Sequence, residues 1–404
     1  MNNDLNILRD LAKQYAAVAA DPVMDERREL WRDLHDFKAP RPPIHVRQYA
    51  FSELPQSECH GEDPFHRELE FMLRDLLYAA SIGDDTVFEP YLSVRAVFDD
   101  MDWGVQIDKQ HTDDIGGSFK VDYVLRELEE WREKLRAPHH RIDEAATAER
   151  YERAGEAIGD ILTIDLNRAP YYMHWHGDIS SDLGLLRGME NFMIDMLEDP
   201  EELHALLAFM RDGVLRVQQE AEDAGDWGAS ATLNQASPYA RGLVDPAPNR
   251  RGMKRSELFG FVAAQEFTMV SPEMQDEFLI QYQLPIMEQF GLTAYGCCED
   301  LTRKIDILRR IPNLRRIAVT PFADVARCAE QIGTDYVMSY RPSPADMVAY
   351  GYNEERIRKV ITRDLEICRG LHLDITLKDV ETVEKDPGRV RKWVAYTRTI
   401  IEKM

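Results

Sequence analysis

No stretch of this 404-residue chain approaches the roughly 18 uncharged apolar residues that a membrane-crossing helix needs. The first 30 residues are dense in Asp, Arg and Glu and lack the apolar centre of a secretory leader, so a cytoplasmic protein without a membrane is expected. Cysteine is scarce. Five residues are too few for a disulfide scaffold, and two of them, Cys297 and Cys298, are neighbours, so reduced thiols or metal ligands are the expected use. Positive charge is also short: 49 Lys and Arg stand against 73 Asp and Glu, a net charge of −24 that repels nucleic acid and anionic membrane surfaces. The common nucleotide and hydrolase signatures are absent. No Gly-x-Gly-x-x-Gly turn follows a strand candidate, and no phosphate-binding Gly-x-x-x-x-Gly-Lys-Ser/Thr loop, Gly-x-Ser-x-Gly elbow or His-Glu-x-x-His pair occurs. Carboxylate pairs are too frequent in so acidic a chain to single out a glycosidase.

What is present is a rhythm. Short apolar or β-branched runs recur at Tyr171 to Trp175, Phe259 to Ala264, Leu292 to Tyr295, Arg316 to Thr320, Tyr336 to Ser339 and His372 to Leu377, each followed by a helix-like stretch. Repeated βα units force parallel strands and right-handed crossovers, and the spacing after Leu292 suits an α/β fold of the (β/α)8 barrel type. Helix starts are marked at Asp199-Pro200-Glu201-Glu202, Ser343-Pro344 and Ser271-Pro272, where a capping side chain precedes proline at the first helical position. Before the barrel, amphipathic patterns at Leu5, Leu8, Leu11 and Tyr15 and from Glu62 to Ala80 predict helices. Residues 1–85 are therefore expected to form an N-terminal helical extension and residues 86–404 the barrel, with a strand within Val87 to Val97 and a charged helix around Val124 to Leu135.

Polar residues at strand C-termini carry most weight in a barrel, because the strands end at the catalytic face. Tyr295-Gly296-Cys297-Cys298-Glu299-Asp300 brings two thiols and two carboxylates to such an end, a soft donor set suited to zinc, although buried Cys can also serve as a small hydrophobe. Along His372-Leu373-Asp374-Ile375-Thr376-Leu377-Lys378 the even-numbered residues share one strand face, and four inward polar groups need a ligand, a metal or an ion pair. His174-Trp175-His176 places two imidazoles on one side of a strand, for substrate contact or packing. Gln265-Glu266 sets a carboxylate after the Phe259 run, and Arg341 closes a strand where it can meet a substrate anion or a surface carboxylate.

The run from Phe259 to Asp379 resembles the uroporphyrinogen decarboxylase-like superfamily, through Gln265-Glu266, Ser271-Pro272-Glu273, Tyr295-Gly296-Cys297-Cys298-Glu299, Pro312-Asn313-Leu314-Arg315-Arg316-Ile317 and Leu377-Lys378-Asp379. The likeness is closest to the corrinoid- and zinc-dependent methyltransferase branch, and clearest over residues 255–404. It implies a (β/α)8 barrel with a zinc ion held by a His-x-Cys pair and a distant Cys. Cys297 matches the Cys of that pair, while Tyr295 stands at its His. Cys298 is an additional thiol, the distant ligand falls near His372 with Cys368 as substitute, and Glu266 would complete the set.

The expected function is methyl transfer between a small methylated compound or thiol and a corrinoid, carried by a partner protein over the barrel mouth. The metal ligands would be Cys297, Cys298, His372 and Glu266. His176 and Asp374 would orient the donor or move a proton, Lys378 would balance charge, and His174, Tyr295 and Arg341 would bind substrate. Two alternatives stand beside it: a metal-free lyase of the decarboxylase type, for which Val46-Arg47-Gln48 lacks the second arginine of the family motif, and a non-catalytic corrinoid- or tetrapyrrole-binding barrel.

Overall fold

Parallel strands dominate the computed structural model, which describes residues 3–99, 102–111, 119–173 and 175–404. In chain order they are β1 (Ile44–Gln48), β2 (Tyr91–Arg95), β3 (Thr163–Asn167), β4 (Phe259–Val262), β5 (Leu292–Tyr295), β6 (Leu314–Val319), β7 (Val337–Tyr340) and β8 (Leu373–Val380). Six of them form one curled parallel sheet in the order β1-β8-β7-β6-β5-β4, while β2 and β3 pair in a second sheet of two strands. The ladder expected to close all the strands into one barrel is therefore interrupted among the described residues, between β1 and β2 and between β3 and β4.

Side chains occupy both breaks. The free edge of β1 donates Val46 N–H to Asp84 Oδ2 and Ile44 N–H to Asp85 Oδ2, each at 2.8 Å. Asn249 covers the free edge of β3, donating its Nδ2 to Ile164 O at 2.9 Å and accepting from Leu166 N at 3.1 Å. Backbone groups that would otherwise be buried without partners are thus satisfied without a neighbouring strand.

β1 lies inside the stretch expected to be an extension and pairs with β8, Ile44 opposite Ile375. Before and after it, helices α1 (Asn3–Ala19), α2 (Val23–His35) and α3 (Pro64–Ala80) appear close to the predicted positions. Asp63 caps α3 by accepting from His66 N, with Pro64 at the first position. Leu8 and Leu11 of α1 and Leu69 and Leu73 of α3 pack with Leu92, Val94 and Ile164 of the two-stranded sheet in a core of their own. A fully buried leucine contributes about 1.5–3 kcal/mol, so these contacts hold the smaller sheet against its covering helices.

Two predicted elements differ. Tyr171–Met173 is a short 3-10 turn, not a strand, because the strand of this unit is β3, just before it. The charged stretch after Val124 yields a 3-10 turn at Leu128–Glu130 that runs into a one-turn α-helix at Trp131–Lys134. The predicted caps hold at Asp199, which accepts from Glu202 N to start α4 (Pro200–Asp223), and at Ser271, which accepts from Met274 N. Ser343 makes no side-chain cap.

Inside the main sheet one ion pair links three strands. Arg316 of β6 meets Asp374 of β8 with Nε 2.8 Å from Oδ2, and Ser339 of β7 donates to Asp374 Oδ1 at 2.8 Å. Arg316 is 1% exposed and Asp374 fully buried. Removing one member of a buried pair leaves an uncompensated charge at a cost of about 3–5 kcal/mol. Arg316→Met is expected to lower urea-unfolding stability by about that much, and adding Asp374→Leu is expected to recover most of the loss.

Candidate active site

β5 is followed by Gly296, whose φ of 100° and tight surroundings require glycine: a Cβ there would lie 2.9 Å from Leu301 Cδ1 and 3.0 Å from Ala318 Cβ. The turn it permits carries Cys297 and Cys298 at the C-terminal edge of the sheet. Glu299, fully buried, fastens this turn by accepting from Cys297 N at 2.7 Å and from Ala264 N, beyond β4, at 2.8 Å. Arg341, just past β7, donates Nη1 to Cys297 O at 2.7 Å. Three strand ends therefore converge on one dipeptide.

The two sulfurs lie 3.5 Å apart, with Cys297 buried and Cys298 half-buried. Lys378 of β8 brings its Nζ to 3.0 Å from Cys298 Sγ and 3.4 Å from Cys297 Sγ. Its other contact is Asp379, whose Oδ2 is 2.5 Å from Nζ. Asp379 holds φ at 56°, and the β1–β8 register shifts beside it, between Val46 and Gln48. On the far side, Gln235 Nε2 points at Cys297 Sγ across 3.7 Å.

This arrangement separates the two thiols chemically. The hydrogen bond from Cys297 and then the Lys378 ammonium, acting against burial, hold the Cys298 thiol below the usual cysteine range. The same hydrogen bond, reinforced by burial, pushes Cys297 up. Of the two, Cys298 is the thiol whose ionised form these contacts favour.

The expected residues divide into groups. Cys297, Cys298, Lys378 and Arg341 come together. Asp374 shares the inner face of β8 with Thr376 and Lys378, but it is committed to Arg316, Ser339 and Thr376. Tyr295 faces the core, not a substrate: it accepts from Gln275 and donates to Gln283 Oε1, each at 3.1 Å. Its position follows from strand alternation, which puts it on the opposite face from a residue one step away. His372 lies at the N-terminal end of β8 with its ring 4.6 Å from that of Phe37. Six residues of strand, about 20 Å, separate it from Lys378. His174 and the side chain of His176 lie outside the described residues.

Glu266 belongs to a second cluster. It accepts from Ser180 Oγ at 2.8 Å, and that hydroxyl also reaches Asp178 Oδ1 at 3.5 Å. Burial raises the pKa of Glu266, and burial followed by the charge of Glu266 pushes Asp178 well above the carboxylate range. Both carboxyls are therefore biased toward their protonated forms.

Two sulfurs on a tetrahedral zinc ion would lie roughly 3.8 Å apart, so the thiol pair alone suits a soft cation. The rest of the expected set does not join it: His372 is at the other end of β8, Glu266 is held by Ser180, and among the described residues no group of three or more His, Cys, Asp or Glu is arranged to hold a metal. The cation against both sulfurs is Lys378.

Next to Gln235, a cavity of ≈ 410 Å³ is lined by Arg47, Asp75, Leu76, Phe88 and Asn234 among others, and it adjoins one of ≈ 460 Å³ that shares Asp75, Leu76 and Phe88. Asn234, Gln235, Arg316 and Asp178 were not expected from the sequence. Arg316 had a signal, a charge within an apolar strand run, whereas Asn234-Gln235 sits in a long irregular connection with no motif.

No family model and no curated protein matches the chain. Among solved structures 22 chains match, including a methyltransferase from Methanosarcina mazei that is 13% identical, covers 92% of this chain and 97% of its own, and superposes with a TM-score of 0.55. That likeness establishes a shared fold. No helix among the described residues is long and apolar enough to cross a membrane.

A depressed thiol pKa means reactivity that is present above that pKa and lost as pH falls through it. Alkylation of Cys298 by iodoacetamide is expected to persist at pH values where an ordinary cysteine is silent. Lys378→Met is expected to move the midpoint of the alkylation profile upward by about 1–2 pH units, read by peptide mass spectrometry.

Proposed function

We propose that this chain is a methyltransferase of the uroporphyrinogen decarboxylase-like class, moving a methyl group between a small methylated compound or thiol and a corrinoid-bearing partner protein. The observation that carries this reading is the Cys298 thiol 3.0 Å from the Lys378 ammonium at the C-terminal edge of the sheet. The fold shared with a methyltransferase supports it. In this reading the six-strand sheet and the β2–β3 pair are staves of one (β/α)8 barrel with two open seams, and the helical extension of residues 1–85 lends it β1.

Cys298 Sγ, as the thiolate, attacks the methyl carbon of a methyl–oxygen or methyl–nitrogen donor. The S–C bond forms while the C–O or C–N bond breaks, and the electron pair departs on oxygen or nitrogen. Glu266, whose protonated form burial favours, follows β4 at the same end of the sheet and is assigned to supply the proton that the departing group takes. Lys378 holds the thiolate before attack, and Asp379 fixes Lys378. Zinc receives no step, because only two of its four expected donors converge. Cavities of ≈ 410 and ≈ 460 Å³ suit a small molecule and not a corrin ring, which is why the corrinoid is assigned to a partner. Bound there, it supplies the second methyl carrier.

The test is a panel of isotopically labelled methoxyarenes, methylamines and methyl thioethers, with reduced corrinoid as acceptor. One labelled methyl on the Cys298 peptide is expected, with turnover reduced more than about a hundredfold in Cys298→Ser. Turnover that survives Cys298→Ser, or no methylated sulfur with any donor, removes the proposal.

A further inference from the structure

Three buried cations stand beside the thiols, and only two of them have a carboxylate in contact. Arg316 is matched by Asp374 and Lys378 by Asp379. Arg341 is different. It is 1% exposed, its Nη1 donates to Cys297 O, its Nε has no partner, and it forms no salt bridge among the described residues. Asp374 and Glu299 are near enough to act on its charge, but Asp374 is held by Arg316, Ser339 and Thr376, and Glu299 by the N–H groups of Ala264 and Cys297. A buried guanidinium with one neutral acceptor is costly unless something else completes it.

A second unsatisfied donor belongs to the segment that touches Cys297 Sγ. Asn234 is 7% exposed, and its Oδ1 accepts from Arg47 Nη1 at 3.1 Å, which fixes the amide so that Nδ2 is the end left without a partner. Its neighbour Gln235, held at a φ of 58°, is the residue that touches Cys297 Sγ. Both residues line the ≈ 410 Å³ cavity, into whose wall Arg47 also projects. Gln235 Oε1, equally unpartnered, suits a hydroxyl or ammonium donor on the same ligand.

We propose that Arg341 and Asn234 form an oxyanion subsite flanking Cys297, and that the small substrate handled there carries a carboxylate. The inference rests on the thiol pair being the methyl-transfer centre. It adds what the substrate must be: an anionic methyl compound or thiol, its charged end fixed by a guanidinium and an amide while its reacting atom meets Cys298. A carboxylate satisfies the open donors in a way that a neutral ether or amine does not.

Two alkylating agents of similar size read the subsite without any turnover. Iodoacetate carries the carboxylate and iodoacetamide does not, so the ratio of their rates at Cys298, divided by the same ratio for a free small thiol, reports anion recognition. A general loss of thiol reactivity cancels from that ratio. The wild-type protein is expected to favour iodoacetate by roughly tenfold on this scale, the equivalent of one charge-assisted hydrogen bond. Arg341→Gln is expected to remove most of the preference and Arg341→Lys to retain part of it. Asn234→Leu reduces it independently, so the proposal stays testable if Arg341→Gln does not fold. A normalised ratio near one in the wild-type protein overturns the proposal, as does a preference unchanged in both folded Arg341→Gln and Asn234→Leu, which would assign it to Lys378 alone. The methyl-transfer reading fails separately: a preference that depends on Arg341, with no methyl transferred from any donor, leaves the subsite in place and removes only the reaction. Turnover confined to uncharged donors removes the subsite and leaves the reaction.

Discussion

The buried pair of Arg316 and Asp374 is the contact on which the interior of the sheet depends. It spans β6 to β8 across Ser339 of β7, so three adjacent strands are held in register by polar contacts inside an apolar core. It also reaches beyond the sheet. Arg316 Nη2 donates to Gln235 O at 3.2 Å, and Thr376 Oγ1 reaches the same carbonyl at 3.4 Å. An irregular segment is thereby anchored to the regular one, and its next side-chain contact is the sulfur of Cys297. Such a pair adds less to stability than its Coulomb energy suggests, because both charges must be desolvated, but it permits one arrangement of strands and loop and penalises the others.

Four residues further along β8, the same inner face carries Lys378, and there the electrostatics change character. Below, the charges match; at the strand end an ammonium faces two sulfurs. Lysine at this position does part of what a metal ion does for thiols, favouring the thiolate by charge alone, yet it coordinates nothing and leaves the sulfur lone pairs available. Its partner Asp379 lies in the left-handed region, which a non-glycine residue adopts only when its surroundings compensate the strain. The short contact with Lys378 and the neighbouring register shift of β1 are those surroundings.

The regular half of the fold was readable because its strands are short apolar runs separated by capped helices. β4 to β8 fall where Phe259, Leu292, Arg316, Tyr336 and His372 begin their runs, and the alternation along β8 correctly grouped Asp374, Thr376 and Lys378. β3 carries the alternation of a half-buried strand, with Thr163, Asp165 and Asn167 between Ile164 and Leu166, but it is short, and the aromatic cluster starting at Tyr171 drew the assignment eight residues too far. The thiol pair was legible from its position at a strand end. The metal set around it was not, because distance along a strand decides contact: His372 shares a face with Lys378 but lies at the opposite end. Tyr295 failed for the complementary reason, one step of alternation turning it into the core. Nothing local marks Asn234 and Gln235, since their role comes from a tertiary contact made by a long connection.

The open seams connect the fold to the chemistry. A closed barrel of eight strands fills its interior with side chains and leaves no chamber at mid-height. Here the ladder stops between β1 and β2, and Asp84 and Asp85 satisfy the exposed edge with carboxylates where a strand would otherwise have to lie. The gap lets α3 contribute Asp75 and Leu76 to the same cavity that Arg47 of β1 and Gln235 line. The interrupted ladder thus goes with a chamber lined by Gln235, whose amide touches Cys297 Sγ, and the side-chain caps keep the backbone satisfied while it stays open. Replacing those caps by a paired strand would close the seam and remove the space that Arg47, Asp75 and Gln235 now line.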